Sequence, residues 1–429
     1  MRSVLRLTVL VACLASLPVP SFAQGASLHG FGPINSSMGG AGVALPEDSL
    51  NALGFNPALT TQIQGNQISF TSEFFKDDIN IRTTTNAGKV GDANPTSHLT
   101  IAPSFGWIVR DPKKKLALGF GLIAVAGFGT DYPSDDASIL FAQPPNGFGR
   151  IHTGYQVTKI PVAFGYEVNP KLSIGVSLNV YVGQFYVAPL PYETFDTAAN
   201  GDRWYPEAAK PSQKITAAPQ LGFLYQATPK VSIGASYTFK QNYPEYEYNS
   251  TIADPTSPNY GKHRELSYDL DGPMVLSFGT GVKLNPKTDL AIDGMFTKYT
   301  GVAGFGSPGG IVNRVVQPFG WRNVWTFKTG VKRQVTDKLN VRGGYNYSQM
   351  PVEDEKTISA TGAPATFQHH FTGGFGMKIF PFLTAEIAAY YVPRQSIKGP
   401  FPDLDNNVLG TIEESNTLKS FLIGLNYRF

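Results

Sequence analysis

Tyr166-Glu167-Val168-Asn169-Pro170-Lys171-Leu172-Ser173-Ile174-Gly175-Val176 places a proline turn between two alternating runs, and the pattern returns along the chain. It recurs as Tyr225-Gln226-Ala227-Thr228-Pro229-Lys230-Val231-Ser232-Ile233-Gly234-Ala235, and as Val282-Lys283-Leu284-Asn285-Pro286-Lys287-Thr288-Asp289-Leu290-Ala291-Ile292. An earlier copy is Arg110-Asp111-Pro112-Lys113-Lys114-Lys115-Leu116; looser copies are Gln334-Val335-Thr336-Asp337-Lys338-Leu339 and Ile379-Phe380-Pro381-Phe382-Leu383. Proline presets φ for a turn, and Asn, Asp or Thr before it favours turn initiation. The prolines at 112, 170, 229 and 286 are 58, 59 and 57 residues apart, the mark of one structural unit used repeatedly.

The flanking runs have period two. Leu172, Ile174, Val176, Leu178 and Val180 share one face, opposite Ser173, Gly175, Ser177 and Asn179. Val231, Ile233, Ala235, Tyr237 and Phe239 stand likewise opposite Ser232, Gly234, Ser236 and Thr238. Such alternation describes β-strands with one apolar and one wet face. Each turn closes a tight hairpin, and long polar connections (128–149, 188–213, 249–263, 299–320, 349–367 and 393–416) lie between hairpins. Short turns at one end and long loops at the other predict an outer-membrane-type transmembrane barrel. Six turns give twelve strands; a first strand near Gln67–Phe75 and a last near Leu418–Phe429 make fourteen. The fold class is therefore all-β, a 14-stranded antiparallel transmembrane β-barrel spanning residues 65–429.

Composition agrees. The chain has 429 residues, 16% charged and 12% aromatic, with 45 Gly and one Cys, and mean hydropathy is −0.12. A barrel with a wet lumen hides its apolar residues at every second position, so this value is no obstacle. Residues 1–23 read as a secretory signal: Arg2 and Arg6 are the basic region, Leu7–Leu17 the apolar core, and Ser21-Phe22-Ala23 the cleavage site, giving a mature Gln24. Leu10-Val11-Ala12-Cys13 has the look of a lipoprotein box but comes too early. Cleavage removes the only Cys, excluding disulfide and thiol chemistry, and lowers the formal charge from +3 to +1 (3 − 2), which gives no argument for nucleic acid.

Residues 24–64 do not alternate. They hold Ser36-Ser37-Met38-Gly39-Gly40-Ala41-Gly42, a short helix expected after a cap near Glu47 or Asp48, and Phe55-Asn56-Pro57-Ala58. One reading is a loose periplasmic arm; the other is a compact plug, since a fourteen-strand barrel leaves a lumen to fill. The whole mature chain resembles the FadL family of outer-membrane transporters for long-chain fatty acids and aromatic hydrocarbons. The resemblance rests on Ser37-x-Gly39-Gly40-Ala41-Gly42, on Asn56-Pro57-Ala58, on Leu118-Gly119-Phe120-Gly121 leading to Phe128-Gly129-Thr130-Asp131-Tyr132-Pro133, and on Gly344-Tyr345-Asn346-Tyr347-Ser348 leading to Pro351-Val352-Glu353-Asp354-Glu355. It implies a hatch at 24–64 inside the barrel, with Asn56, Pro57, Ala58, Gly39, Gly40 and Gly42 as its motif, and a lateral opening into the membrane at the third strand. The connection 188–213 is short for the helical outer groove that some members carry.

The third strand has Gly119, Gly121, Gly127 and Gly129, and alternation stops between Ala124 and Gly129. Glycine in a strand marks bulges or close approach, so either the hatch packs there or the wall breaks. Lumen-face charges (Lys159, Glu167, Lys240, Asp293, Arg342, Glu386 and Arg428) are expected to bond the plug and one another. Candidate pocket aromatics are Phe31, Phe55, Phe128, Tyr132, Phe141 and Phe148. Phe421, Ile423, Leu425, Tyr427 and Phe429 share a face of the last strand and resemble the signal read by barrel-assembly machinery.

Enzymatic chemistry is not expected. No His-Glu-x-x-His or Gly-x-Ser-x-Gly occurs, His369-His370 reads as a surface pair, and Asp403-Leu404-Asp405-Asn406 lacks the Gly and distal Glu of a calcium loop. A lipid-acting barrel enzyme would need a Ser or Thr paired with His at the rim. The expected function is diffusive uptake of hydrophobic small molecules by a monomer set among outer-membrane lipids and lipopolysaccharide, without cofactor or metal. The alternative is a general porin for hydrophilic solutes, which would have no use for forty residues ahead of its first strand.

Overall fold

A computed structural model describes residues 25–429 except 97, 98, 193, 194, 314 and 404. The signal expected at 1–23, Gln24, and the loop residue Leu404 lie outside the described residues. Among the described residues, fourteen strands form one closed antiparallel sheet: β1 Gln67–Thr85, β2 Thr100–Arg110, β3 Leu116–Tyr132, β4 Ile151–Asn169, β5 Leu172–Ala188, β6 Ala208–Thr228, β7 Val231–Thr238, β8 Met274–Asn285, β9 Thr288–Lys298, β10 Val324–Gln334, β11 Leu339–Ser348, β12 His369–Phe380, β13 Leu383–Pro402 and β14 Val408–Arg428. Neighbours in sequence pair, and β1 closes the ring by pairing β14 from Gln67↔Arg428 to Thr85↔Gly410 and β2 from Gln67↔Ile108 to Phe75↔Thr100.

The repeated turns owe their recurrence to one hydrogen bond. The side chain before the turn accepts from the amide two residues on: Asn169 from Lys171 (2.9 Å), Asn285 from Lys287 (3.0 Å), Asp111 from Lys113 (2.9 Å) and Thr228 from Lys230 (3.2 Å). This local bond imitates a backbone turn and leaves the strands to pair directly across it. The periodic face of each strand points outward: Phe70, Trp107, Leu118, Phe164, Val176 and Phe327 are all large and exposed. An apolar belt of this kind is stable only against hydrocarbon, where a closed ladder leaves no backbone group unpaired.

Several strands run into the stretches expected as connections: β3 reaches Tyr132, β6 begins at Ala208, and β13 and β14 take up most of 393–416. β1 continues past Phe75 to Thr85, and β14 begins at Val408 rather than near Leu418. Their added halves, such as Asp78↔Thr417 and Ile81↔Glu414, stay in one register. The ladder needs only backbone groups, whereas alternation needs an apolar outer face, so polar residues extend the strand without leaving the period that announces it.

From Gly25 to Thr61 every residue except Ser27 and Pro46 is buried. This segment folds as α1 Gly32–Ser37, α2 Ser49–Gly54 and a 3-10 turn Pro57–Gln62. Asp48 caps α2 by accepting from the Asn51 amide at 2.8 Å. The ring of strands surrounds the segment, and the wall carries glycine where the two touch. An added Cβ would lie 2.3 Å from the Ala58 amide at Gly175, 2.3 Å from Asn56 Oδ1 at Gly222, 2.4 Å from the Val43 carbonyl at Gly234, 2.4 Å from the Met38 carbonyl at Gly330 and 2.3 Å from the Gly39 amide at Gly344. Gly39 and Gly40 are themselves required, with φ of 67° and 74° and backbone from Tyr345 and His29 within 2.6 and 1.7 Å of an added Cβ. Asn56 fixes the motif to the wall: its amide donates to the Val43 carbonyl (2.8 Å) and to the Phe223 carbonyl of β6 (3.0 Å), while its oxygen accepts from Ala58 (3.1 Å).

Gly222→Val drives a branched side chain into Asn56. Overpacking of this kind costs about 1–3 kcal/mol, which is expected to expose residues 30–58 to protease at least several-fold faster while heat-modifiable gel mobility still reports a folded barrel. Unchanged protection would show that Asn56 does not anchor the segment.

Candidate functional site

The wet faces of the upper strands change character. Below, β4 and β5 present Gly165, Gly175 and Ser177 to the segment; above, the same faces carry Lys159, Val157, Tyr155 and Tyr181. With Phe31 and Phe55 of the N-terminal segment, whose rings stand 4.6 Å apart, these side chains line an interior cavity of about 110 Å3. Val275, Met295, Tyr299 and Phe305 complete its apolar lining. Its roof is an aromatic stack in which Phe305 lies 4.6 Å from Trp321 and 5.0 Å from Phe319.

The wall beside this cavity is incomplete. β3 pairs with β2 only from Arg110↔Ala117 to Phe105↔Leu122, although β3 continues to Tyr132. On its other side β3 follows β4 past a register shift between Ala124 and Ala126. The freed edge is met by the N-terminal segment: Leu28 donates to the Val125 carbonyl (3.0 Å), Gly127 to the Ala26 carbonyl (2.8 Å), and Ser27 bridges Ala126. Ala26, Ser27, Leu28, Val125 and Ala126 all line the cavity, so only this short piece of chain lies between the cavity and the gap in the sheet.

The four glycines divide. Gly119 and Gly121 face the Leu53 side chain, 2.6 and 3.3 Å from an added Cβ, and accommodate α2. Gly127 and Gly129 lie opposite Gln156 and Gly154 of β4, along the stretch that β2 leaves unpaired.

The aromatic candidates divide as well. Phe31 and Phe55 line the cavity, and Phe128 packs above it against Tyr155 at 5.2 Å and Phe319 at 5.8 Å. Tyr132 and Phe141 stack 5.0 Å apart in a separate core with Ile79 and Leu140. Phe148 belongs to the rim, 5.0 Å from Tyr205, where it borders a vestibule of about 560 Å3 lined by Ile139, Ile311, Ile358 and Phe401. Phe148, Val316 and Ile358 also line a smaller cavity of about 30 Å3 that reaches Tyr192, itself packed against Phe319. Apolar spaces thus succeed one another from the rim inward, built from several loops rather than from the connection 188–213 alone.

The inward charges hold backbone or one another. Lys159 donates to the carbonyls of Leu53 (2.9 Å) and Gly54 (3.1 Å), capping α2, and to Gln220 Oε1 (2.7 Å). Asp293 accepts from the amides of Gly42 (2.6 Å) and Val43 (2.9 Å). Arg342 pairs with Glu386, Arg110 with Glu167 at 3.0 Å, and Lys240 with Asp271 at 2.8 Å, whereas Arg428 is exposed. His369-His370 is not a surface pair: successive strand residues face opposite ways, so His370 is buried beside His29 at 5.0 Å. Among the described residues no group of His, Cys, Asp or Glu is arranged to hold a metal ion.

Tyr155, Tyr181, Tyr299, Phe305 and Met295 were not anticipated from sequence. The available signal was an aromatic on the wet face of a strand, as at Tyr181, two positions beyond Asn179.

Solved structures with the same fold include a Pseudomonas aeruginosa FadL homologue (TM-score 0.74, 15% identity, 94% of this chain and 100% of that one). The toluene transporters TodX of P. putida (0.68, 18%, 94% and 99%) and TbuX of Ralstonia pickettii (0.67, 19%, 94% and 99%) are also similar. No curated protein matches the chain. Residues 16–429 match the family described as outer membrane protein transport protein (OMPP1/FadL/TodX), and the chain belongs to this family of bacterial outer-membrane barrels.

Proposed function

We propose that the protein admits hydrophobic small molecules by diffusion, from the rim vestibule to the interior cavity and then sideways into the membrane past β3. The observation that carries this reading is the apolar cavity lying against an unpaired strand edge, with residues 26–28 between them. Moving an apolar solute from water into such a cavity gains roughly 25 cal/mol per Å2 buried, so no energy source is required. Residues 24–64 act as the hatch, and sideways exit spares the solute a second passage through water. The toluene transporters among the similar structures are in keeping with a neutral aromatic or aliphatic substrate. Phe429, exposed and stacked 5.4 Å from Tyr427 at the end of β14, serves assembly of the barrel rather than transport.

Two experiments test the route. Deleting residues 24–64 is expected to convert a closed barrel into an ion-conducting pore in planar bilayers; equal conductance with and without the segment would favour the porin alternative. Gly127→Val, by contrast, places a β-branched residue at the gap. Cellular uptake of toluene should fall to that of cells lacking the protein, with normal heat-modifiable mobility. Undiminished uptake by a folded variant would exclude sideways exit and leave passage into the periplasm.

A further inference from the structure

The hydrogen-bonding groups of the interior cavity discriminate among hydrophobic molecules. Among the described residues, its only charged lining residue is Lys159. An ammonium has three donors, and here all three are engaged, by Leu53 O, Gly54 O and Gln220 Oε1. Drawing Lys159 toward a ligand carboxylate would uncap α2 and leave Gln220 Oε1 only the long contact from Asn179 (3.4 Å). Lys328 offers no substitute, since it does not line the cavity: its ammonium sits 4.6 Å from the centre of the Phe55 ring and donates to the His29 carbonyl at 3.2 Å. Gln241, also in the lining, spends its amide donors on Phe239 O (2.5 Å) and Pro273 O (3.1 Å).

Neutral hydroxyls are differently placed. Ser236 of β7 and Ser277 of β8 are direct cross-strand partners, and Thr238 lies two residues above Ser236 on the same face. All three line the cavity, and their hydroxyls have no hydrogen-bond partner among the described residues. Both serines are nine-tenths buried or more, at 6% and 5% exposure. A buried hydroxyl is costly when unpaired and favourable when it meets an acceptor.

Building on the uptake reading above, we propose that the cavity selects uncharged apolar molecules bearing one hydrogen-bonding oxygen, such as ketones, alcohols or esters, over both plain hydrocarbons and carboxylate anions. The facing pair Ser236 and Ser277 supplies the contact to the oxygen, and the saturated Lys159 denies one to an anion.

Three probes of matched shape separate these classes: 2-acetylnaphthalene, 2-ethylnaphthalene and 2-naphthoate. Each is titrated at neutral pH against the full-length mature barrel in detergent, with its own partition into micelles subtracted. The ketone should bind about tenfold tighter than the other two, the worth of one added hydrogen bond. The Ser236→Ala/Ser277→Ala variant, folded by heat-modifiable mobility, should lower ketone affinity to that of 2-ethylnaphthalene and leave 2-ethylnaphthalene unchanged. Equal binding of ketone and hydrocarbon overturns the proposal but leaves hydrophobic uptake standing, as does naphthoate binding as tightly as the ketone. Failure of all three probes to bind overturns the proposal together with the uptake reading. A double variant that keeps the ketone preference removes the serines from it and overturns the assignment.

Discussion

Everything inside this barrel depends on satisfying a non-repetitive backbone far from bulk water. A buried amide or carbonyl without a partner is expensive, and the N-terminal segment has only two six-residue helices and one 3-10 turn to pair its own. The wall supplies the rest. Asp293 accepts two amides, Ser232 donates to the Ala44 carbonyl (2.7 Å), Asn346 to Gly39 (3.1 Å), Thr372 to Ser37 (2.9 Å), Gln220 to Phe55 (2.7 Å) and Lys159 to the end of α2. The polar side chains on the wet face of these strands are thus spent largely on main chain, Lys159 and Asp293 among them, while Arg342, Glu386, Glu167 and Lys240 pair with other charges. This also explains why the wall needs glycine: donors on short side chains reach a backbone only when that backbone comes close.

The barrel was legible because its two signals are local. Period two follows from the pleat, and the Asn-Pro-Lys and Thr-Pro-Lys turns follow from a bond spanning two residues. The strand ends were less legible, since β1 and β14 extend where the outward face turns polar and the apolar residues, Ile79, Ile81 and Ile412, face inward instead. The segment's packing had a readable trace that went unread. Gly175, Gly222, Gly234, Gly330 and Gly344 all fall on wet faces, on five different strands. One glycine in a strand is ambiguous, but one recurring at the matching level of successive strands describes a belt of close contact. α1 left no comparable trace, because a helix buried on every side has no amphipathic period to detect.

The cavity was legible only in part, for a related reason. Aromatics in long loops are prominent in sequence, and Phe128, Tyr132, Phe141 and Phe148 drew attention accordingly. Three of the four stabilise the loops or the rim. The cavity is instead lined by residues whose aromatic character is unusual for their face: Tyr155 and Tyr181 stand where Ser, Gly and Asn stand lower on the same strands. Which strand meets which across a lumen depends on the curvature of the whole ring, and no single strand encodes it. Phe305 and Tyr155, 150 positions apart in sequence, come within 5.7 Å only because the ring closes.

The closure beside β3 differs in strength from the rest of the wall. β1 and β14 share nineteen register pairs, from Gln67 to Thr85. Across the gap, the segment offers β3 two backbone hydrogen bonds around one bridge. Bonds of that kind contribute about 0.5–1.5 kcal/mol each net of water, and the side chains beside them are small: Ala26 and Ser27 against Val125 and Ala126. Two such bonds amount to about 1–3 kcal/mol, a gap at which a second arrangement would be populated at roughly half a percent to fifteen percent. A molecule that fills the cavity touches this seal directly, because Ala26, Ser27 and Leu28 line it. The anchors of the segment at Asn56, Asp293 and Lys159 hold other parts of it, whereas Tyr299 of the wall holds Ala26 and Ser27 themselves.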